Sequence, residues 1–150
     1  ELKRTLDDLA MTGVSGPRLL EWLESFPYGF CFRDSQGLEY RCAHAFFPSW
    51  LEVPRYDRSV AIYDTVKKAK QLMMYGPSHT DGKGRVFWWT KQAERDWVRV
   101  AGHYHVVHTD DKSLVLDAGC GGTKRSWFCN EPASLCLWDT ARRELVEFAV

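Results

Sequence analysis

Apolar and polar positions follow a helical period in three segments of the chain. Within residues 1–10 the leucines recur every three or four positions, which predicts an amphipathic helix. A second helix is predicted over 17–26. Pro17 suits its first position, the leucines and the final phenylalanine share one face, and Pro27 ends the pattern. A third helix is predicted over 59–70.

The remaining periodic segments favour strands. Residues 28–47 predict a hairpin that turns at Gly37, because apolar residues alternate on both sides of that glycine. Buried strands are predicted over 97–107 and 113–122, and a terminal hairpin over 134–150. The chain shows no internal repeat or linker. Helices followed by a mostly antiparallel sheet predict one domain of the mixed α/β (α+β) class.

The composition is that of a globular domain without net charge. The chain has 150 residues, of which 45% are apolar, so it can bury a core and is not expected to be disordered. Twenty basic residues balance twenty acidic ones, whereas a broad nucleic-acid-binding surface needs a basic excess. No apolar run reaches membrane-spanning length, so no membrane partner is expected.

The cysteine pattern argues against structural cross-links. The chain has five cysteines, an odd number, and no two of them form a C-x-x-C pair. A disulfide framework and a zinc knuckle are therefore not expected. We expect reduced, mostly buried thiols in a cytoplasmic protein.

Three of the five histidines fall within six residues, in the stretch GHYHVVH that begins at Gly102. In an extended chain, His103 and His105 point to the same face, whereas His108 has the opposite parity. Imidazole binds zinc, manganese and iron, so the first two are candidate metal ligands. The alternative is a solvated or hydrogen-bonded pair at the end of a strand.

Two further residues are candidates for a metal site. His44 follows an apolar strand, where a lone histidine is more often structural than a ligand. Asp117 ends a strand and is followed by three glycines in the next five positions. Its carboxylate would suit the role of orienting a metal-bound histidine, and the alternative is an ordinary turn.

Taken in order, five segments resemble the C-terminal half of the calcineurin-like metallophosphoesterases. The nearest resemblance is to the bacterial and phage branch, which includes protein serine/threonine phosphatases and the phosphatase domain of polynucleotide kinase-phosphatases. The segments that carry the resemblance are YRCAHAFF (40–47), MYGP (74–77), VRVAGHYHVV (98–107), LVLDAGCGG (114–122) and SLCLWDTARRELVEF (134–148). The resemblance implies the second half of an α/β/β/α sandwich.

The resemblance also implies a centre of two divalent metal ions, with manganese preferred over iron or zinc. His44 and His103 match the ligands of one ion, and His105 matches a ligand of the other. Asp117 matches an aspartate with a supporting or structural role. The activity implied is hydrolysis of phosphomonoesters, on phosphoproteins or nucleic-acid ends.

The loop after the Y-G-P segment is a candidate surface for substrate. Tyr75, His79 and Arg85 lie on or beside this loop and would suit contacts with a phosphorylated substrate. The alternative is a solvated loop. The tryptophans Trp88, Trp89 and Trp97 are interpreted as core residues rather than stacking platforms.

The family blocks G-D-x-H-G, G-D-x-x-D-R-G and G-N-H-E do not occur in this sequence. Residues 1–150 are therefore expected to be a C-terminal half. The catalytic general acid and the Asp, His and Asn ligands would come from an amino-terminal half in the same polypeptide or a second chain. Two alternatives are a non-catalytic half-domain that acts as a scaffold or regulatory partner, and a phosphodiesterase. Nucleic acid is expected only as a substrate.

Overall fold

A computed structural model describes residues 13, 15–77, 95–104, 106–117 and 134–149. The elements in chain order are α1 (Gly16–Glu24), β1 (Gly29–Arg33), β2 (Glu39–Ala43), β3 (Ser59–Ile62), α2 (Lys67–Tyr75), β4 (Trp97–Ala101), β5 (Val107–Thr109), β6 (Ser113–Leu116), β7 (Ser134–Asp139) and β8 (Glu144–Ala149). Within these ranges, no helix is both long and apolar enough to cross a membrane.

Six strands form one mixed sheet in the order β3-β1-β2-β4-β6-β5, and β7 pairs with β8 in a separate two-stranded sheet. The mixed class with helices and a dominant sheet is thereby confirmed. Four of the strand pairs are antiparallel, as the sequence predicts. The central pairs β2–β4 and β4–β6 are parallel, whereas the sequence predicts antiparallel neighbours. A crossover that contains β3 and α2 joins β2 to β4, and β5 lies between β4 and β6 in the chain, so neither pair is joined by a hairpin.

Both predicted hairpins are present, and local turn chemistry explains each. In the first, Asp34 accepts hydrogen bonds from the backbone N–H groups of Gln36 and Leu38, and Gly37 adopts a φ of 83°. In the second, Asp139 accepts hydrogen bonds from the backbone N–H groups of Ala141 and Arg142, and Arg143 adopts a φ of 56°. Such turns depend only on neighbouring residues, so the sequence reveals them.

Two predicted elements are wrong in part. The first half of the predicted helix 59–70 is strand β3, because Val60 and Ile62 pair with β1, and α2 begins only at Lys67. The predicted strand 97–107 ends at Ala101 and resumes as β5. The predicted helix 17–26 is α1, although it buries none of its side chains. The predicted helix 1–10 lies outside the described residues.

The core lies on both faces of the six-stranded sheet. On one face, Cys31 and Trp97 pack against Phe47 and against Met73 of α2. On the other face, a cluster of Tyr40, Val98 and Leu114 contacts Trp138 of β7. Trp97 is thus a core residue, as predicted, while Trp88 and Trp89 lie outside the described residues.

The described cysteines carry no disulfide. Cys31 and Cys136 are buried and Cys42 is half-buried, and all three are free. Burial raises the pKa of Cys31 and of Cys42 to about 12, so both are neutral thiols at physiological pH. Cys120 and Cys129 lie outside the described residues.

Gly29 is required by close packing between β1 and α2. A Cβ at this position would lie 2.7 Å from Cε of Met73 and 3.0 Å from the carbonyl oxygen of Cys42. We expect Gly29→Ala to lower the free energy of unfolding by about 1–3 kcal/mol, because the end of Met73 and the tightly packed atoms of Cys42 and Phe47 would have to shift. Urea denaturation measures the loss. Gly16→Ala is the matched control, since a Cβ at Gly16 meets nothing within 4 Å, and equal losses would contradict the prediction.

Asp110 organises the turn between β5 and β6. Its carboxylate accepts hydrogen bonds from the backbone N–H groups of Lys112 and Ser113, each at 2.7 Å, and lies 2.8 Å from Nε2 of His108. Burial acts to raise the pKa of Asp110, but these hydrogen bonds outweigh it and the pKa is lowered. The carboxylate therefore stabilises the fold above its usual pKa of 3.8, and this stabilisation is lost as the pH falls through the lowered pKa.

We expect Asp110→Asn to reduce stability at neutral pH and to flatten the acid limb of the stability curve. The asparagine oxygen still accepts from the turn, but the charge that interacts with His108 is gone. Thermal unfolding between pH 2 and pH 7 checks this, with Asp111→Asn on the same turn as control. An unchanged acid limb in Asp110→Asn would contradict the assignment.

Candidate metal site

The site lies where three parallel strands end. Because β2, β4 and β6 run in the same direction, their carboxyl ends meet at one edge of the sheet. His44 follows β2, His103 lies two residues after β4, and Asp117 follows β6 directly. The parallel strands therefore place three of the four predicted metal-site residues at the same edge of the sheet.

His44 and His103 are in direct contact although 59 residues separate them. Nε2 of His44 lies 2.8 Å from Nδ1 of His103, and the ring centroids are 4.7 Å apart with planes at 72°. At this distance one imidazole donates a hydrogen bond to the other, and the tautomers decide which. Both residues are exposed to solvent.

His103 occupies a strained turn. The N–H of Tyr104 donates to the carbonyl of Gly102 at 2.9 Å, which closes a three-residue turn around His103, and the φ of His103 is 71°. These are features of a γ-turn with positive φ, a rare conformation that is unfavourable for a residue with a Cβ. The histidines at 103 and 105 were predicted to share one strand face, but the strand has ended before them. His105 itself lies outside the described residues.

The backbone holds the two histidine segments together. The carbonyl of His44 accepts a hydrogen bond from the N–H of Gly102 at 2.9 Å, which extends the β2–β4 pairing by one residue. The N–H of Ala45, which is fully buried, donates to the carbonyl of Met73 in α2 at 2.8 Å. His44 is thus placed by β4 on one side and by α2 on the other.

A buried arginine anchors the loop that begins at His44. Arg99 is 3% exposed, and its Nε donates to the carbonyl of Phe47 at 2.8 Å. Its guanidinium carbon lies 3.9 Å from the centroid of the Phe46 ring, a cation–π contact. Burial, reinforced by the charge of Arg95, lowers the pKa of Arg99 to about 9. The only sign of this residue in the sequence was a charge inside an apolar strand.

Asp117 lies beside the histidine turn. Its N–H donates to the carbonyl of Val106 at 3.3 Å, and its Cβ is 3.7 Å from the position that a Cβ on Gly102 would occupy. The side chain therefore borders the residue next to His103. Its role in orienting a histidine stays a prediction.

The structure describes one of the three residues predicted to face substrate. Tyr75 ends α2 and is largely exposed, while His79 and Arg85 lie outside the described residues. Nε2 of His108 lies 2.8 Å from the carboxylate of Asp110. In the part of the chain that the structure describes, no group of three or more His, Cys, Asp or Glu side chains is arranged to hold a metal ion.

An apolar groove of about 380 Å³ opens next to the histidine pair. It runs along the sheet face that α2 does not cover. Its walls include Phe30, Cys42, His44, Val100, Gly102 and Leu116. The groove places accessible apolar surface immediately beside two potential metal ligands.

No protein-family model, no curated protein and no solved structure matches the chain. The function is therefore inferred from the geometry of the site and the chemistry of its residues.

Proposed function

We propose that the chain contributes to a metal-dependent phosphatase that hydrolyses phosphomonoesters of phosphoproteins or nucleic-acid ends. The observation that carries the proposal is the contact of His44 and His103 at the carboxyl edge of parallel strands. In open α/β sheets, this edge is where ligands bind. The strained turn at His103 adds support, because such strain persists where the surrounding structure and function require it.

The two imidazoles suit a divalent ion. Their facing nitrogens are 2.8 Å apart, and two nitrogens bound to one tetrahedral ion are separated by about 3.4 Å, given metal–nitrogen distances near 2.1 Å. A small rotation of the exposed side chains would widen the separation of the two nitrogens from 2.8 Å to this value. A divalent ion bound there would supply Lewis-acid activation of water and of a phosphoryl oxygen. His44 and His103 would hold it, and the turn and Arg99 would keep them in place.

Two imidazoles do not complete a metal site. A second ion and the remaining ligands require further donors, for which His105 is the candidate in this chain. We propose that the carboxylate ligands and the general acid come from an amino-terminal half of the same polypeptide or from a second chain. The apolar groove beside His44 supports this, because a segment that docked there would bring its side chains next to the pair. The complete domain would then be an α/β/β/α sandwich.

A second candidate function is a non-catalytic scaffold or regulatory partner. The observation that favours it is the surface of α1, where Leu20, Trp22 and Leu23 are each more than half exposed. An amphipathic helix with an uncovered apolar face is typical of a segment that binds another protein. A lone chain that stays metal-free and monomeric would favour this function.

The test of the proposed function starts with metal binding by the wild-type chain. We expect Co²⁺, used as a spectroscopic probe, to bind with visible absorption typical of nitrogen coordination and to be displaced by Mn²⁺ or Zn²⁺. Native mass spectrometry of the full polypeptide or its complex should then show bound metal. That species should hydrolyse p-nitrophenyl phosphate only in the presence of metal. Absence of metal binding, or metal-independent hydrolysis, would refute the proposal.

A further inference from the structure

We propose that Gly76 and Tyr104 are positioning residues that set the orientation of the His103 imidazole toward His44. The test of this inference by metal binding rests on the proposed function, whereas the test by the imidazole resonances of the metal-free protein does not. Neither residue was singled out by sequence reasoning as part of the site.

Gly76 packs directly against Tyr104. It is the C-cap residue that follows α2, its N–H donates to the carbonyl of Leu72 at 2.9 Å, and its φ of 73° and ψ of 178° belong to a region that is essentially restricted to glycine. A Cβ at this position would overlap the hydroxyl oxygen of Tyr104 and lie 3.1 Å from its Cζ. The end of the helix therefore leaves room for the tyrosine only because residue 76 has no side chain.

Tyr104 in turn contacts His103. Its ring lies edge-to-face with the imidazole, with centroids 5.3 Å apart and planes at 84°. Its N–H closes the strained turn around His103. The same ring packs in a small cluster with Ala101 and Val115, so it is supported from the sheet as well.

The end of α2 touches both histidine-bearing loops. The carbonyl of Met73 accepts from Ala45, next to His44, while Gly76 abuts Tyr104, next to His103. A Cβ on Gly76 would also lie 3.6 Å from Cβ of Ala45. Because one helix terminus contacts both loops, its position contributes to the separation of the two imidazoles, together with the backbone hydrogen bond from Gly102 to His44. Displacing Tyr104 should therefore move His103 away from His44.

The experiment compares Gly76→Ala with Gly37→Ala. Gly37 also has a positive φ, of 83°, but a Cβ there meets nothing within 4 Å, so it tests an alanine at positive φ without the contact. Tyr104→Phe in the Gly76→Ala background removes the hydroxyl that the new methyl group overlaps and keeps the ring. Tyr104→Ala, with Gly76 intact, removes the ring itself and tests the contact even if Gly76→Ala does not fold.

Two readouts are used: the imidazole nitrogen resonances of the metal-free protein and its affinity for Co²⁺. We expect Gly76→Ala and Tyr104→Ala to shift the resonances of both site histidines and to weaken Co²⁺ binding by about 10-fold or more, as for other residues that orient a ligand. In the Gly76→Ala background, Tyr104→Phe should restore most of the wild-type imidazole resonances and of the Co²⁺ affinity. Gly37→Ala should lower the melting temperature and leave the resonances and the Co²⁺ affinity unchanged.

Three results would overturn the inference: unchanged imidazole resonances in Gly76→Ala and Tyr104→Ala, equal shifts in Gly37→Ala, or no recovery with Tyr104→Phe. If the wild-type chain binds no divalent ion but the resonances respond as expected, the proposed function fails and the positioning role stands. The two failures are therefore distinguishable.

Discussion

Replacement of either His44 or His103 by alanine is expected to abolish divalent-metal binding at the sheet edge, and with it the metal-dependent phosphatase activity that we propose. The two imidazoles contact each other at 2.8 Å and would share one ion, so neither can substitute for the other. The loss should exceed the roughly 10- to 100-fold effect of removing a residue that only orients a ligand. Titration with Co²⁺ and the rate of p-nitrophenyl phosphate hydrolysis measure it.

Two further variants separate ligand loss from misfolding. His103→Gly removes the same ligand but suits the φ of 71°, so it should be more stable than His103→Ala by about 1 kcal/mol while binding metal equally poorly. His108→Ala removes an imidazole that bonds to Asp110, and it should leave metal affinity unchanged. Full activity in either His44→Ala or His103→Ala would refute the assignment.

Replacement of Phe47 by alanine is expected to cause the largest loss of stability, about 3–5 kcal/mol in the free energy of unfolding. Phe47 is fully buried and packs edge-to-face with Trp97, with ring centroids 6.1 Å apart. Its removal leaves a cavity between the sheet and α2. The corresponding fall in melting temperature is roughly 10 °C for a domain of this size. Calorimetry and urea denaturation measure both quantities.

The control for Phe47→Ala is Phe148→Ala in β8, where the side chain is 49% exposed and little apolar surface returns to water. We expect the control to lose much less stability. Phe47→Ala should also weaken metal binding, because Phe47 belongs to the loop that begins at His44 and is tied to Arg99. Equal destabilisation by the two variants would show that Phe47 does not organise this core.

The elements that the sequence predicts correctly are those that depend on neighbouring residues. The turn of the first hairpin needs Asp34 and Gly37 only, and both lie within it. The helix predicted over 59–70 fails at its start because Val60 and Ile62 gain more from pairing with β1, about thirty residues away, than from a local helix. Strand propensity is expressed through such distant neighbours, which a local pattern does not contain.

The candidate site also combines features that the local sequence predicts with features that depend on tertiary packing. Residue type made His44 and His103 candidate ligands, the family resemblance singled them out, and their role as metal ligands stays a prediction. Their contact depends on the parallel pairing of β2 with β4, whereas the sequence predicts antiparallel neighbours. The positive φ of His103 and the contact of Gly76 with Tyr104 arise from packing between a helix end and a turn.

The class of the fold, both hairpins and helix α1 follow from the sequence, since periodicity and turn chemistry are local properties. Tertiary packing makes three strands run parallel, ends strand β4 before Gly102 and brings the two imidazoles together. These features depend on which strands become neighbours. That choice is made by burial of the whole sheet and by the crossover through α2, and not by any single segment.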